Sequence, residues 1–128
     1  MSWNNIHDPK TFRLIEHAIS KYSQLSRLSL SYNPLGAPCI KSFMASIKEP
    51  NSLSYLNLTS CSLNSTASNY VWTTLDKCQT LKQLIMDKND LKGFNSKAVL
   101  KFLRTQKSIE ILSLKKCNLG PELANNLQ

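Results

Sequence analysis

The sequence predicts an α/β solenoid, in which short parallel strands stack side by side and a helix follows each strand. Three observations predict this fold class. A leucine-rich pattern returns every 28 residues, apolar residues alternate within each copy, and the segments between copies have helical apolar spacing. This period is typical of strand–turn–helix units, which cannot bury their apolar faces alone. We therefore expect neighbouring units to share one continuous core.

The leucine-rich pattern occurs in four copies of eleven residues. The copies are "LSRLSLSYNPL" from Leu25, "LSYLNLTSCSL" from Leu53, "LKQLIMDKNDL" from Leu81 and "IEILSLKKCNL" from Ile109. Every copy has apolar residues at its first, fourth, sixth and eleventh places. Because a strand points alternate side chains to one face, the fourth- and sixth-place residues are expected in the core.

The ninth place of each copy alternates between two residue types, as Asn33, Cys61, Asn89 and Cys117. The chain must turn after each strand, and a buried turn leaves backbone N–H and C=O groups in need of partners. An Asn side chain offers both a donor and an acceptor, so we expect a ladder of bonds from unit to unit. Cys bonds more weakly but is common in protein interiors.

The segments between the copies are predicted to be helices, each with one apolar face. The residues of these faces are Ile40, Phe43, Met44 and Ile47, then Val71, Trp72 and Leu75, and then Val99, Leu100 and Leu103. Pro50 is expected to end the first of these helices, and Ser96 is expected to cap the third.

Residues 1–24 are predicted to form an N-terminal capping region before the four units of residues 25–128. The units start at residues 25, 53, 81 and 109, and the last is expected to be incomplete. Asp8 and Pro9 have the residue types of an N-cap and a first helical position. Phe12 and Ile15 follow at helical spacing, so we expect a helix that covers the apolar end of the first unit.

The units resemble the leucine-rich repeat, specifically its ribonuclease-inhibitor-like subtype, whose repeats have this length and alternate Asn and Cys types. The stretch "LSLSYNPLGAPCIKSFMASIKEPNSL" is similar to the Asn-type unit. The resemblance covers residues 25–128 and implies a horseshoe segment, with strands on the concave face and helices on the convex face. It also implies a protein-binding module, and in its sharper form an inhibitor that covers the active site of a partner enzyme.

Positive charge is concentrated in the C-terminal half of the chain. Residues 77–116 carry ten Lys or Arg against three Asp or Glu, a local net charge of +7 within a total of +8. Such a region attracts acidic protein surfaces or a phosphate backbone, although solvated surface lysines are the simpler interpretation. Binding of nucleic acid or of an acidic surface through this half is therefore the alternative function.

No pattern in the sequence predicts catalysis, a cofactor site or a metal site. The cysteines lack CxxC spacing, and the predicted stacking separates Cys61 from Cys117 by two strand spacings, about 10 Å, too far for a disulfide. We therefore expect reduced, buried thiols and a cytoplasmic protein. The two histidines, His7 and His17, have no matched Cys or carboxylate that would suggest a nucleophile.

No membrane partner is expected, because no apolar run approaches the roughly 18 residues of a membrane-spanning helix. The opening "MSWNNIHDPK" lacks the apolar stretch of a secretory signal. Short proteins of the resembled subtype are also similar to effectors that intracellular bacteria deliver into host cells. An effector of this kind would reach the host cytosol without a cleaved signal.

The side chains that alternate with the core leucines, and those of the following turn, are predicted to face the hollow of the curved sheet and to bind a protein partner. They are Arg27, Ser29, Tyr32, Tyr55, Asn57, Gln83, Ile85, Asp87, Lys88, Ile111, Ser113, Lys115 and Lys116. Tyr and Arg are frequent hot-spot residues, and the lysines would contact acidic groups of the partner. The competing interpretation is that Tyr55 and Ile85 only shield neighbouring strands.

Overall fold

A computed structural model describes residues 9–21, 26–46, 53–76, 78–93 and 95–119 of the chain. Within these ranges the protein has four helices and one four-stranded parallel sheet, which confirms the predicted α/β class. The helices are α1 (Pro9–Lys21), α2 (Gly36–Ser46), α3 (Ser65–Leu75) and α4 (Ser96–Thr105). The strands are β1 (Arg27–Ser29), β2 (Tyr55–Asn57), β3 (Gln83–Ile85) and β4 (Ile111–Ser113).

The strands lie in chain order, β1-β2-β3-β4, and each neighbouring pair is parallel. Arg27 lies beside Tyr55, Tyr55 beside Gln83, and Gln83 beside Ile111. The register therefore advances by 28 residues at each step, so the period of the sequence is the register of the sheet. Each helix packs against the next one along the chain, from α1 to α4.

The fourth- and sixth-place residues of the first three units form the centre of the core. Leu28, Leu30, Leu56, Leu58, Leu84 and Met86 are each at most 1% exposed. They belong to one cluster with the buried side chains of the helices. Burial of each such side chain contributes about 1.5–3 kcal/mol. Because strand side chains alternate, the remaining strand residues point away from the helices.

The predicted apolar faces of α2 and α3 are confirmed for the residues that the structure describes. Ile40, Phe43 and Met44 are buried on α2, and Val71, Trp72 and Leu75 are buried on α3. Ile47 and Pro50 lie outside the described residues.

The predicted face of α4 is partly wrong. Val99 is buried as expected, but Leu100 and Leu103 are only half-buried, and Phe102 is buried in their place. The Phe102 ring lies 5.3 Å from the ring of Trp72 on α3. Because this aromatic pair gains more from burial than a leucine contact does, it sets the side of α4 that faces the core.

The cap of α4 also differs from the prediction. Asn95, not Ser96, is the N-cap, and its Oδ1 accepts hydrogen bonds from the N–H groups of Lys97 and Ala98 at 3.1 and 3.2 Å. Asn95 has the extended backbone that a cap requires, whereas Ser96 is already the first helical residue.

Helix α1 begins at Pro9, as predicted, and the expected cap residue Asp8 lies outside the described residues. Phe12 and Ile15 are buried in the core cluster, and α1 packs against α2. No helix that the structure describes has the length and apolar character that a bilayer crossing requires.

Candidate protein-binding face

The turns after β1, β2 and β3 are each bonded by the ninth-place side chain of the following unit. Each such side chain donates to the sixth-place carbonyl of the unit before it: Cys61 Sγ to Leu30 O at 2.9 Å, Asn89 Nδ2 to Leu58 O at 2.9 Å, and Cys117 Sγ to Met86 O at 3.0 Å. The expected ladder from unit to unit is confirmed. The thiols take part in it as well as the Asn side chains.

Asn89 makes bonds to two neighbouring turns of this ladder. Its Nδ2 also donates to Met86 O at 2.9 Å, which holds its own turn. Its Oδ1 accepts from the backbone N–H groups of Cys61 at 2.9 Å and of Leu63 at 3.1 Å. One buried amide therefore completes two turns, its own Asn-type turn and the Cys-type turn before it.

The eighth place of every unit has a left-handed backbone. Tyr32, Ser60, Lys88 and Lys116 have φ angles of +63°, +53°, +59° and +56°. We call these four residues the turn row. They share one conformation and one register, so their side chains leave the turns in similar directions, about 4.8 Å apart from strand to strand. This conformation is uncommon for non-glycine residues and most of all for bulky ones.

Two members of the turn row touch each other across a third. The Lys88 Nζ lies 3.5 Å from the Tyr32 hydroxyl and 5.7 Å from the centre of its ring. Ser60 lies between them on the intervening turn, and its short side chain leaves the space that this contact needs. Tyr32 is nevertheless 60% exposed.

The side of the sheet opposite the helices, which we call the strand face, carries a second aromatic group. The Arg27 guanidinium lies 4.1 Å from the centre of the Tyr55 ring. The Asn57 Nδ2 donates to the Tyr55 hydroxyl at 3.2 Å, and Asn57 Oδ1 accepts from the N–H of Thr59 at 3.0 Å. Tyr55 is therefore held in place from two sides, while it stays only half-buried.

Asp87 has internal hydrogen bonds that the sequence did not predict. Its Oδ1 accepts from the Ser113 hydroxyl at 2.6 Å and from the N–H of Lys115 at 2.9 Å. This carboxylate therefore connects the end of β3 to the end of β4. Of the predicted binding residues, Asp87 and Ser113 consequently have a structural contact that accounts for their residue types.

None of the predicted binding residues lies in the core. Six are exposed: Arg27, Tyr32, Lys88, Ile111, Lys115 and Lys116. Seven are half-buried: Ser29, Tyr55, Asn57, Gln83, Ile85, Asp87 and Ser113. Ser60 shares the eighth place with Tyr32 and Lys88; its register placed it on this face but not among the predicted binding residues, and it is half-buried.

The four cysteines are free thiols. Cys61, Cys78 and Cys117 are buried, but Cys39 is only half-buried, so the expectation of buried thiols is wrong for that residue. Burial raises the pKa of Cys61 to about 11 and also raises the pKa of Cys117. These two thiols are therefore protonated at neutral pH and poor nucleophiles.

Within the described ranges, no three His, Cys, Asp or Glu side chains lie close enough together to hold a metal ion. Comparison with known proteins finds that no protein-family model matches the chain and that no curated protein matches it.

Proposed function

We propose that the chain is a leucine-rich-repeat solenoid of the ribonuclease-inhibitor-like type and a non-catalytic module that binds a globular protein on its strand face and turn row. Three features support the architecture: the constant 28-residue register, the alternation of Asn and Cys in the ladder, and the left-handed eighth place. Stacking of equivalent units gives such a module a rigid surface that follows the sheet from one unit to the next.

The observation that carries the binding proposal is the exposure of Tyr32. A left-handed backbone costs a side-chain-bearing residue about 1–2 kcal/mol, and Gly or Asn would adopt it more readily. Tyr32 has this conformation at φ +63° while 60% of its side chain contacts solvent. The Lys88 contact offsets part of this cost within the monomer, and burial of the ring against another molecule would offset more of it.

The surroundings of Tyr32 support a protein as the partner. Ile111, also on the strand face, is 46% exposed. Tyr55 is held by Arg27 and Asn57, so little conformational entropy is lost when a partner covers it. Lys88, together with Lys115 and Lys116 on the last turn, would contact acidic groups of the partner. A partner enzyme with an acidic active-site rim would be blocked by such docking.

The test is affinity capture at physiological salt with matched variants of the whole protein. Tyr32→Ser and Ile111→Ser each remove an exposed apolar group from the proposed face. Leu14→Ser removes one from α1, where the side chain is 71% exposed. We expect the first two variants to weaken capture of a common partner by about tenfold or more, in the range of hot-spot losses. The Leu14 variant should capture it like the wild type.

Two results would contradict the proposal. One is a partner whose contacts map to the helices, with Tyr32 and Ile111 still accessible in the complex. The other is equal capture by the wild type and by a variant that carries both substitutions on the proposed face.

Nucleic-acid binding is the second candidate, favoured by the basic residues between 77 and 116. It predicts an affinity that falls steeply with salt, because each phosphate contact releases counterions. The aromatic residues Tyr32 and Tyr55 lie in the first two units, away from most of the lysines, which does not favour base stacking. Titration with a single-stranded RNA at two salt concentrations separates the two candidates.

We further propose a reducing, cytoplasmic location, which the free thiols support. In a bacterial effector this would be the cytosol of the host cell. No cofactor or metal has a role in the proposed docking.

A further inference from the structure

The outer edge of β4 carries two backbone N–H groups, those of Leu114 and Lys116. Their counterparts in the first three units all donate hydrogen bonds to the next strand. The sixth-place N–H groups of the earlier units donate to the next strand: Leu30 to Asn57 O at 2.9 Å, Leu58 to Ile85 O at 2.7 Å, and Met86 to Ser113 O at 2.9 Å. The eighth-place N–H groups of Tyr32, Ser60 and Lys88 do the same at 2.8, 2.9 and 2.9 Å. Leu114 and Lys116 are the equivalent residues of the fourth unit, and in the part of the sheet that the structure describes no strand follows β4.

The same edge exposes leucines that are enclosed in the inner units. Leu112 and Leu114 are half-buried, whereas Leu84 and Met86, their counterparts one unit earlier, are fully enclosed. Leu119 is half-buried, and its counterpart Leu91 is 1% exposed. A strand added at this edge would therefore bury apolar surface in addition to bonding the N–H groups of Leu114 and Lys116.

The turn at Cys117 specifies one side chain of the segment that would complete it. The equivalent Cys-type turn at Cys61 is completed by the next unit, where Asn89 accepts from the N–H groups of Cys61 and Leu63 and donates to Leu58 O. Cys117 N–H, Leu119 N–H and Leu114 O are the counterparts of these three groups. The edge is thus matched to a segment with an Asn three residues after its second apolar residue.

The charged residues that flank β4 indicate which charges a partner segment should carry. Glu110 precedes the strand, and Lys115 and Lys116 follow it. A parallel segment of opposite sign would be basic at its start and acidic at its turn. A second copy fits poorly, because each copy carries a net charge of +8 and exposed lysines at an edge strand oppose self-pairing.

We propose that the β4 edge binds an extended segment of a partner protein as a fifth parallel strand, with the pattern apolar-x-apolar-x-x-Asn and acidic residues beside Lys115 and Lys116. Main-chain bonds supply affinity in this mode, and the alternate side chains supply specificity. The site is the edge of the sheet; it shares Lys115 and Lys116 with the proposed docking surface, but its main-chain bonds at Leu114 and Lys116 do not depend on that docking.

The probe is a peptide with the sequence of residues 81–91, "LKQLIMDKNDL", that carries Lys88→Glu. This segment already completes the Cys-type unit at Cys61, so it should complete the Cys-type unit at Cys117. In the expected register its Lys82 lies beside Glu110, its Asp87 beside Lys115, and the new glutamate beside Lys116.

Binding is measured by NMR titration and by hydrogen exchange of the whole protein. We expect the amide hydrogens of Leu114 and Lys116 to exchange at least about tenfold more slowly when the peptide is bound, because these N–H groups then donate hydrogen bonds to the added strand. A peptide that also carries Asn89→Ala should bind about tenfold or more weakly, since three buried bonds are lost.

A charge exchange tests the register. In the protein variant Lys116→Glu, the peptide with the natural Lys88 should bind better than the Lys88→Glu peptide, by about two- to fivefold, reversing the wild-type order. Lys97→Glu changes an exposed lysine of α4 and should keep the wild-type order.

Three results would overturn the proposal. In the first, the Leu114 and Lys116 amides of the free monomer exchange as slowly as those of Met86 and Lys88, so the chain itself covers the edge. In the second, these amides become protected only as the protein dimerises, so a second copy covers the edge. In the third, the Asn89→Ala peptide binds as well as its parent, or neither peptide binds.

Discussion

The Lys88 ammonium lies 3.5 Å from the Tyr32 hydroxyl, although 56 residues separate them in the sequence. The contact crosses two strand spacings and passes over Ser60. It holds the Tyr32 side chain beside a cation while the ring stays exposed. A partner would therefore meet an aromatic group that is already positioned, next to a positive charge.

Lys88→Met should weaken partner binding by about two- to fivefold, because a cation–π contact of this kind is worth about 0.5–1 kcal/mol. The substitution keeps a long, unbranched side chain at position 88 and removes its positive charge. The affinity of the captured partner measures the effect, and the NMR shifts of the Tyr32 ring in the free protein report the lost contact. Lys92→Met, at another exposed lysine, is the control. Unchanged ring shifts would show that the contact is not populated.

Tyr32→Gly should stabilise the monomer by about 0.5–1 kcal/mol, because glycine adopts φ +63° without the cost that a β-carbon imposes. The same change should weaken partner binding by about tenfold or more, as expected for Tyr32→Ser. Urea denaturation measures the free energy of unfolding. Ser29→Gly, within β1, is the control and should destabilise by about 0.5–1 kcal/mol. A loss of stability in Tyr32→Gly would mean that the ring contributes to the fold.

Asn89→Ala should destabilise the protein by about 3–5 kcal/mol, because it leaves buried groups of two turns without partners. Asn57→Ala, at a half-buried strand position, should cost about 1 kcal/mol or less. Both values come from urea denaturation at one pH. Similar losses in the two variants would contradict the ladder as a main source of stability.

The stability of the protein should fall as the pH rises from about 8.5 toward 11, in part because of Cys61. Burial raises the pKa of this thiol to about 11, so above pH 8.5 the unfolded state loses the proton before the folded state does. The contribution is fully present below the unfolded pKa and is lost as the pH passes through the folded pKa. The difference between about 8.5 and about 11 amounts to about 3 kcal/mol.

The measurement is the free energy of unfolding of the wild type and of Cys61→Ala at several pH values from 7 to 11. The variant starts lower, because it loses a buried group, but its profile should be flatter. Parallel profiles for the two proteins would show that the thiol does not titrate as its burial requires.

The core and register were predictable because they depend on strand alternation and on a constant period. Leu28 and Leu30 had to share a face, and an unbroken 28-residue step left one way to stack equivalent strands. The ladder was predictable for a related reason. Asn is one of the few residue types whose side chain can bond both the N–H donors and the C=O acceptors of a buried turn, so Asn89 was expected in this role.

The residues that escaped prediction depend on contacts between units. Phe102 replaces Leu100 and Leu103 in the core because Trp72, on the neighbouring helix, offers it an aromatic partner. Asp87 resembles an ordinary turn residue until the fourth unit places Ser113 beside it. At the candidate site, periodicity gave the face of each residue but could not show that two eighth-place side chains meet across a third.

The ninth-place bonds that cross between units run from one unit to the unit before it, and Asn and Cys alternate in making them. The Cys-type unit at Cys61 is thus finished by its Asn-type successor, and the smallest module that repeats both kinds of junction is a pair. Gene duplication or protein engineering that adds or removes pairs would preserve every junction. Deleting one unit would join two turns of the same type, so growth of this molecule is expected in even steps.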